Sequence, residues 1–207
     1  MAEKNILQMT VGDFMSALAA KTPTPGGGSA AGIAGALAVA LGEMSVHFTQ
    51  GKKKFAEHEE FYKHLDQRLA TARRMFQELI ADDMAAFEFL QEASAAPDSP
   101  EKSATVQLAV SAAINVPREM AKLSLAVMQD LASLLDKCNP WLISDLAAGA
   151  ALAATVVRLS NYNVLVNTPQ LEDVSAAQEI RTAAANDLAR AGKLLKAIES
   201  AAAEFWQ

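Results

Sequence analysis

Apolar residues recur every three to four positions along most of the chain, which is the spacing of an amphipathic α-helix. In the longest such stretch they fall at Leu65, Leu69 and Phe76, with charged residues between them. A capping residue followed by a proline, such as Asn139 and Pro140, separates neighbouring stretches. The predicted helices cover residues 10–20, 29–50, 55–93, 101–137, 141–166 and 173–205.

The composition also indicates a helical protein. Alanine makes up about a fifth of the 207 residues, whereas tyrosine and tryptophan occur only twice each. This mixture favours helix over sheet. A chain of this length can bury one hydrophobic core, so we expect a single domain over residues 1–207. The predicted fold is an all-α bundle of about six helices, several of them long and one kinked at Pro117.

The net charge and the length of the apolar stretches limit the kinds of partner that the protein can bind. A net charge of −6 with no broad basic stretch argues against a nucleic-acid partner. The apolar stretches 29–42 and 141–159 are short or carry charges, so they predict buried helices rather than membrane spans. The first ten residues lack the apolar core of a secretory signal, and the single Cys138 suits a reducing compartment. We therefore expect a cytoplasmic protein with no membrane partner.

Three consecutive glycines stand directly before the second predicted helix. Backbone amides at a helix N-terminus can hold an anion or a polar ring edge, and a glycine lets a ligand lie against the backbone. Pro25, Gly26, Gly27, Gly28 and Ser29, which we call the glycine turn, are therefore candidate ligand-binding residues. The alternative is a flexible turn followed by close helix packing. The spacing fits neither a phosphate-binding P-loop nor a dinucleotide fingerprint.

Lys52, Lys53 and Lys54 form the strongest basic site on this acidic chain, and we call them the lysine cluster. Adjacent ammonium groups repel one another, so the cluster suits a ligand with several carboxylates or a phosphate. The alternative is a solvated helix end, where the helix dipole tolerates cations.

Asp145 is the only ionisable residue between Trp141 and Val157. A carboxylate buried among apolar neighbours needs a hydrogen-bonding or charged partner. The residue is therefore either a site carboxylate or an acid that stabilises the start of its helix. Asn163 and Asn167 share a face of the same predicted helix, where they could hydrogen-bond the polar edge of a heterocycle or cap the helix end.

Two further pairs of ionisable residues are candidates for a site. Asp82 and Asp83 are adjacent, so on a helix they point about 100° apart and at most one faces a site. His47 follows Glu43 by four residues, and this pair could form a buried hydrogen bond or an acid–base unit. The sequence contains no Glu-x-x-His, His-Glu-x-x-His or Cys-x-x-Cys spacing, so we expect no metal site.

Six short motifs stand in order along the chain. They are Pro-Thr-Pro-Gly-Gly-Gly-Ser-Ala-Ala at 23–31, Gly-Lys-Lys-Lys-Phe at 51–55, Asp-Asp-Met-Ala-Ala-Phe at 82–87, Asn-Val-Pro at 115–117, Ile-Ser-Asp-Leu at 143–146 and Asn-Val-Leu-Val-Asn at 163–167. The combination resembles the cyclodeaminase/cyclohydrolase family, which includes the C-terminal domain of formiminotransferase-cyclodeaminase and stand-alone methenyltetrahydrofolate cyclohydrolases. The resemblance covers nearly the whole chain.

The resemblance implies an all-α homodimer that acts on a tetrahydrofolate derivative without a metal or another cofactor. The expected reaction is hydrolysis of 5,10-methenyltetrahydrofolate to 10-formyltetrahydrofolate. One alternative is cyclodeamination of 5-formiminotetrahydrofolate, which releases ammonia. Another is a non-catalytic helical scaffold or folate-binding protein.

The expected roles follow from that reaction. Asp145 would stabilise the cationic amidinium of the bound substrate and could act as the base, and Asp83 is the second candidate carboxylate. The lysine cluster would hold the glutamate tail, or place the Lys53 ammonium near the developing formyl oxygen. The glycine turn would lie against a ring, and the two asparagines would hydrogen-bond its polar edge. These roles predict that Asp145, the glycine turn and the lysine cluster share one cavity, either within one chain or between two subunits.

Overall fold

The computed structural model describes residues 6–205, and this range contains no β-strand. The all-α prediction is confirmed, and the six predicted segments correspond one to one with the six α-helices of the described range. These are α1 (Val11–Leu18), α2 (Gly27–His47), α3 (Glu59–Ala95), α4 (Lys102–Leu134), α5 (Ile143–Asn167) and α6 (Val174–Ala203).

The helix boundaries differ from the predicted ones at two kinds of position. α3 and α5 begin later than predicted, because the short 3-10 helices Lys53–His58 and Pro140–Leu142 precede them. α2 begins earlier, at Gly27, so two of the three glycines lie inside its first turn. Sequence patterns locate helices better than helix ends, where capping and 3-10 geometry compete.

α2 lies between α3 and α5 and runs antiparallel to both. Gly28 lies against Asp83, and Gly42 lies against Leu69, which fixes the direction of α3 relative to α2. α5 approaches α2 closely at Gly149, and its C-terminal end shares a cavity with the start of α2. α4 packs against α3 and α5, and α6 packs against α4 and α5.

Large side chains from several helices fill the centre of the bundle. The side chains of Tyr62, Phe76, Leu131 and Leu146 are fully buried. Burying a side chain of this size contributes about 1.5–3 kcal/mol to folding. α4 continues through Pro117, because a proline removes one hydrogen bond of a helix that tertiary contacts hold on both sides.

Two of the helices are apolar around most of their circumference. α2 and the segment Pro140–Gln170 are long and apolar enough to cross a membrane by composition alone. In their most apolar windows, 56 % and 50 % of the residues are buried inside the bundle, as in core helices of globular proteins. The other residues of these windows remain on the surface of the chain.

Candidate functional site

A cavity of about 200 Å³ lies at the end of the bundle where α2 begins, and we call it the end cavity. α2 contributes Gly27 and Gly28, α3 contributes Asp83, α4 contributes Pro117, and α5 contributes the two predicted asparagines. Gly26 lines the cavity as well. The fold therefore brings together most of the glycine turn, one of the two adjacent aspartates and both asparagines.

Among the described residues that line the end cavity, Asp83 is the ionisable one. Its carboxylate lies so close to Gly28 that a Cβ at Gly28 would overlap it. It makes no hydrogen bond or ion pair within the described residues, and burial raises its pKa to about 6. A carboxyl group that changes protonation near neutral pH is suited to general acid–base chemistry.

The start of α2 leaves backbone amides available at the cavity. Its N-cap is Gly26, which has no side chain to accept their hydrogen bonds. The Cβ position of Gly27 has no neighbour within 4 Å, so a ring could lie against the backbone there. Pro25 and Ser29, the other two residues of the glycine turn, are buried and lie outside the cavity lining.

Asn167 has a structural partner that depends on Pro117. A proline has no N–H, so the carbonyl oxygen of Ala113 loses its usual helical donor. The side-chain nitrogen of Asn167 donates to that oxygen over 3.3 Å and to the backbone oxygen of Asn163 over 3.0 Å. The Asn163 side-chain nitrogen donates to the Leu159 oxygen, so both amide groups are oriented by the backbone.

Phe87 is a cavity residue that the sequence analysis did not select as a site residue. It lies four positions after Asp83 on α3, and Ala86 and Leu90 line the cavity with it. Positions three, four and seven after Asp83 share its helix face, so helical spacing alone could have identified them. The Phe87 side chain is 38 % exposed and offers an aromatic surface to a ligand ring.

The lysine cluster lies at the opposite end of the bundle. α2 has 21 residues, so its two ends are about 30 Å apart. Lys52, Lys53 and Lys54 follow its C-terminal end and are exposed. Within one chain, therefore, the lysine cluster and the end cavity do not form a common site.

Asp145 also lies away from the end cavity. It stands in the first turn of α5, whereas Asn163 is 18 positions further along the same helix, about 27 Å away. Its side chain is half-buried and has no hydrogen bond or ion pair within residues 6–205. This position suits an acid that stabilises the start of a helix, and the catalytic role of Asp145 stays a prediction.

The other candidate residues pair with α3. Glu43 Oε2 accepts from Arg73 Nε over 2.6 Å, and His47 Nε2 lies 2.8 Å from Asp66 Oδ1. Glu43 and His47 thus each bind a different residue of α3. Asp82 lines an open groove of about 570 Å³ between α3 and α4, away from the end cavity. Adjacent aspartates therefore point to different surfaces, as their spacing predicts.

Known proteins resemble this chain in sequence over nearly its whole length. Residues 10–186 match the formiminotransferase-cyclodeaminase family. The methenyltetrahydrofolate cyclohydrolase of Methylorubrum extorquens is 35 % identical over 89 % of this chain and 91 % of that protein. The formimidoyltransferase-cyclodeaminase of Dictyostelium discoideum is 30 % identical over 88 % of this chain, but the match spans only 34 % of that larger protein.

The fold has a known counterpart as well. The crystal structure of formiminotetrahydrofolate cyclodeaminase from Thermotoga maritima is 25 % identical, with a TM-score of 0.82. The likeness covers 97 % of this chain and 96 % of that one. Sequence and fold agree with the motifs, and the chain belongs to the formiminotransferase-cyclodeaminase family.

Proposed function

We propose that this chain is a methenyltetrahydrofolate cyclohydrolase, which hydrolyses 5,10-methenyltetrahydrofolate to 10-formyltetrahydrofolate. The observation that carries the proposal is the match with the Methylorubrum extorquens cyclohydrolase, at 35 % identity over nearly the full length of both proteins. The unpaired Asp83 carboxylate in the end cavity supplies the group that such a reaction needs.

The reaction fits the chemistry of the end cavity. A water oxygen adds to the bridging carbon of the cationic amidinium, the bond from that carbon to N5 breaks, the formyl group stays on N10, and one proton is released. Asp83 accepts the proton of the attacking water, and its negative charge stabilises the bound cation. A base with a pKa of about 6 is ionised at neutral pH and still accepts a proton in the transition state.

The other candidate residues take binding roles in this proposal. The pterin ring lies against Gly27, and the side-chain oxygen of Asn163 faces its polar edge. Within one chain the lysine cluster lies about 30 Å from the end cavity, so in this proposal it is the cluster of a second copy that attracts the carboxylates of the glutamate tail, with its Lys53 the candidate for the developing formyl oxygen. Asp145 lies about 27 Å from Asn163 in one chain, so it can act as a second carboxylate for the cation only from that second copy. We further propose a cytoplasmic homodimer that uses no metal or other cofactor and has no membrane or nucleic-acid partner.

Cyclodeamination is the second candidate function. It is favoured by the Thermotoga maritima cyclodeaminase, whose fold this chain shares over 97 % of its length. In that reaction N10 attacks the formimino carbon of 5-formiminotetrahydrofolate, the formimino nitrogen takes up one proton and leaves as ammonia, and the ring closes to the methenyl cation. The two reactions share a cationic one-carbon unit, so the same carboxylate can serve both.

An absorbance assay with both folates separates the two functions. The purified chain is mixed with 5,10-methenyltetrahydrofolate, and separately with 5-formiminotetrahydrofolate. Loss of the methenyl chromophore above the uncatalysed rate supports the cyclohydrolase, and appearance of that chromophore from the formimino substrate supports the cyclodeaminase. Turnover of neither folate contradicts both and favours a non-catalytic folate-binding protein.

A further inference from the structure

Both ends of the Asn167 side-chain amide have partners within the chain. Its nitrogen donates to the backbone oxygens of Ala113 and Asn163. Its oxygen accepts from the side-chain nitrogen of Gln170 over 3.2 Å. Turning the amide over would place its oxygen against two carbonyl oxygens and its nitrogen against another donor. The orientation of this amide, which lines the end cavity, is therefore fixed by the protein.

Gln170 is the residue that sets the direction of the Asn167 oxygen. It ends the short 3-10 helix Thr168–Gln170, which follows α5, and it is exposed. An exposed hydrogen bond between neutral groups contributes little to stability. The bond from Gln170 nevertheless constrains the oxygen end of the amide directly, whereas the two bonds of the nitrogen constrain the opposite end.

The side-chain amide of Gln107, on α4, holds the backbone on either side of Leu171. Its nitrogen donates to the Gln170 backbone oxygen over 3.0 Å, and its oxygen accepts from the Glu172 backbone nitrogen over 3.0 Å. Leu171 has extended backbone angles, with φ −74° and ψ 133°. The Gln107 amide therefore pairs with this residue much as a residue of a neighbouring parallel strand does. We call this contact the Gln107 clasp.

Two further side chains attach the same segment to the bundle. Arg181, on α6, donates through Nε to the hydroxyl oxygen of Thr168 over 2.8 Å, and Thr168 is fully buried. Ser103, on α4, donates to a side-chain oxygen of Glu172 over 2.6 Å. Neither Arg181 nor Ser103 lines the end cavity. The segment that carries Gln170 is therefore held in place by residues of α4 and α6 outside the cavity.

We propose that Gln170 is a positioning residue for the ligand of the end cavity. The Gln107 clasp holds Gln170 in place, and Gln170 directs the oxygen of Asn167, so that this oxygen and that of Asn163 are presented as acceptors. Acceptors fixed in this way select a ring edge that carries N–H donors, as the amino-substituted edge of a pterin does. The identity of the ring rests on the proposed function, whereas the control of the Asn167 amide by Gln170 does not.

The first experiment tests this control without using activity. Nuclear magnetic resonance measures how fast the side-chain amide protons of Asn167 exchange with solvent, and Asn167→Ala identifies their signals. Gln170→Glu keeps the size of the side chain but replaces the donor with a carboxylate, which repels the Asn167 oxygen. We expect exchange about fivefold faster in this variant.

Gln178→Glu is the matched control for the added charge. Gln178 is an exposed residue of α6 and does not line the end cavity. We expect this variant to exchange the Asn167 amide protons at the wild-type rate. Equal exchange rates in the wild type, Gln170→Glu and Gln178→Glu overturn the proposal.

The second experiment measures the consequence for the substrate. In Gln170→Glu we expect KM to be about fivefold higher and kcat to stay within about twofold of the wild type, because the Asp83 base is unchanged. Gln178→Glu should leave both constants unchanged. In the Asn167→Ala background, Gln170→Glu should raise KM no further, since a residue that acts through another has no effect once the other is removed.

The outcomes of the second experiment are distinct. A KM that Gln170→Glu leaves unchanged overturns the positioning role. An equal increase of KM with and without the Asn167 side chain also overturns it, because Gln170 then acts by another route. If the wild type turns over neither folate, the proposed function fails, and the amide exchange alone decides whether Gln170 controls Asn167.

Discussion

The two ends of the α2 helix differ in how they are built. At the N-terminal end, Gly28 lies against the Asp83 carboxylate, and α3, α4 and α5 close around a small cavity. At the C-terminal end, the three lysines are exposed and have no ion pair within residues 6–205. The first end is suited to holding a rigid ring in one position, and the second to attracting a flexible anionic tail. Shape selection needs close packing, whereas charge attraction acts over several ångströms of water.

The largest expected effect is on catalysis at the cavity end. Asp83→Asn keeps the shape of the side chain but removes the base, so we expect kcat to fall by about 10²-fold or more. Asp82→Asn is the matched control, because the neighbouring carboxylate faces the groove between α3 and α4. The rate at which the methenyl absorbance is lost measures the activity of both variants. Equal activities of the two variants would remove Asp83 from the mechanism.

The same substitution should have the opposite effect on stability. Burial raises the pKa of Asp83 from 3.8 to about 6, so the folded chain binds this proton more tightly than the unfolded chain does. The ionised carboxylate therefore costs stability above pH 6, and the cost disappears as the pH falls to about 4. We expect Asp83→Asn to raise the free energy of unfolding by about 2 kcal/mol at pH 8 and by little at pH 4. Urea unfolding at both pH values checks this, and a pH-independent difference would contradict it.

Gly28→Ala tests the close contact at the cavity. The added Cβ would overlap the Asp83 carboxylate, so we expect a loss of about 1–3 kcal/mol of stability and at least tenfold lower kcat/KM. Gly192→Ala is the control, since nothing lies within 4 Å of its Cβ position, and a helical alanine there should stabilise α6 by up to about 1 kcal/mol. Thermal unfolding measures both variants. Equal decreases of the two midpoint temperatures would mean that the contact is unimportant.

Removing the positive charge of the lysine cluster should mainly affect substrate binding. Replacing Lys52, Lys53 and Lys54 with glutamine should raise KM about tenfold, with a smaller change in kcat, and reduce the salt dependence of kcat/KM. Lys193→Gln, an exposed lysine on α6, serves as the control. An unchanged KM at low salt would show that the cluster is only a solvated helix end.

The smallest effect concerns the hydrogen bond that depends on Pro117. Asn167→Ala leaves the Ala113 carbonyl oxygen without this donor, which should cost about 1 kcal/mol of stability. Asn186→Ala, on the exposed side of α6, should change stability by less than about 0.5 kcal/mol. Chemical denaturation of the two variants makes the comparison, and equal midpoints would mean that water replaces the amide.

Local signals explain why the helices were predictable. Thr10 accepts a hydrogen bond from the Asp13 amide, Asn139 from the Trp141 amide, and Asp173 from the Ala176 amide. Each is a helix-capping contact between residues two or three positions apart, so the sequence alone predicts it. The family could also be predicted, because its motifs are short and contiguous.

The arrangement of the site was less predictable, although one signal was present. The glycine turn and the lysine cluster are separated by about 22 residues that were predicted to be helical, and a helix is a rigid spacer of about 1.5 Å per residue. That spacing already places the two motifs some 30 Å apart in one chain. The choice between Asp82 and Asp83, and the pairing of Asn167 with Ala113, depend on how helices distant in sequence pack together.

A crystal structure of the protein with bound 10-formyltetrahydrofolate tests the central claim most directly. We expect the ring to lie against Gly27, with the Asp83 carboxylate within hydrogen-bonding distance of the one-carbon unit. The glutamate tail should reach Lys52, Lys53 or Lys54 of the second copy. A folate bound in the groove between α3 and α4, or bound with its ring beside the lysines, would contradict the account.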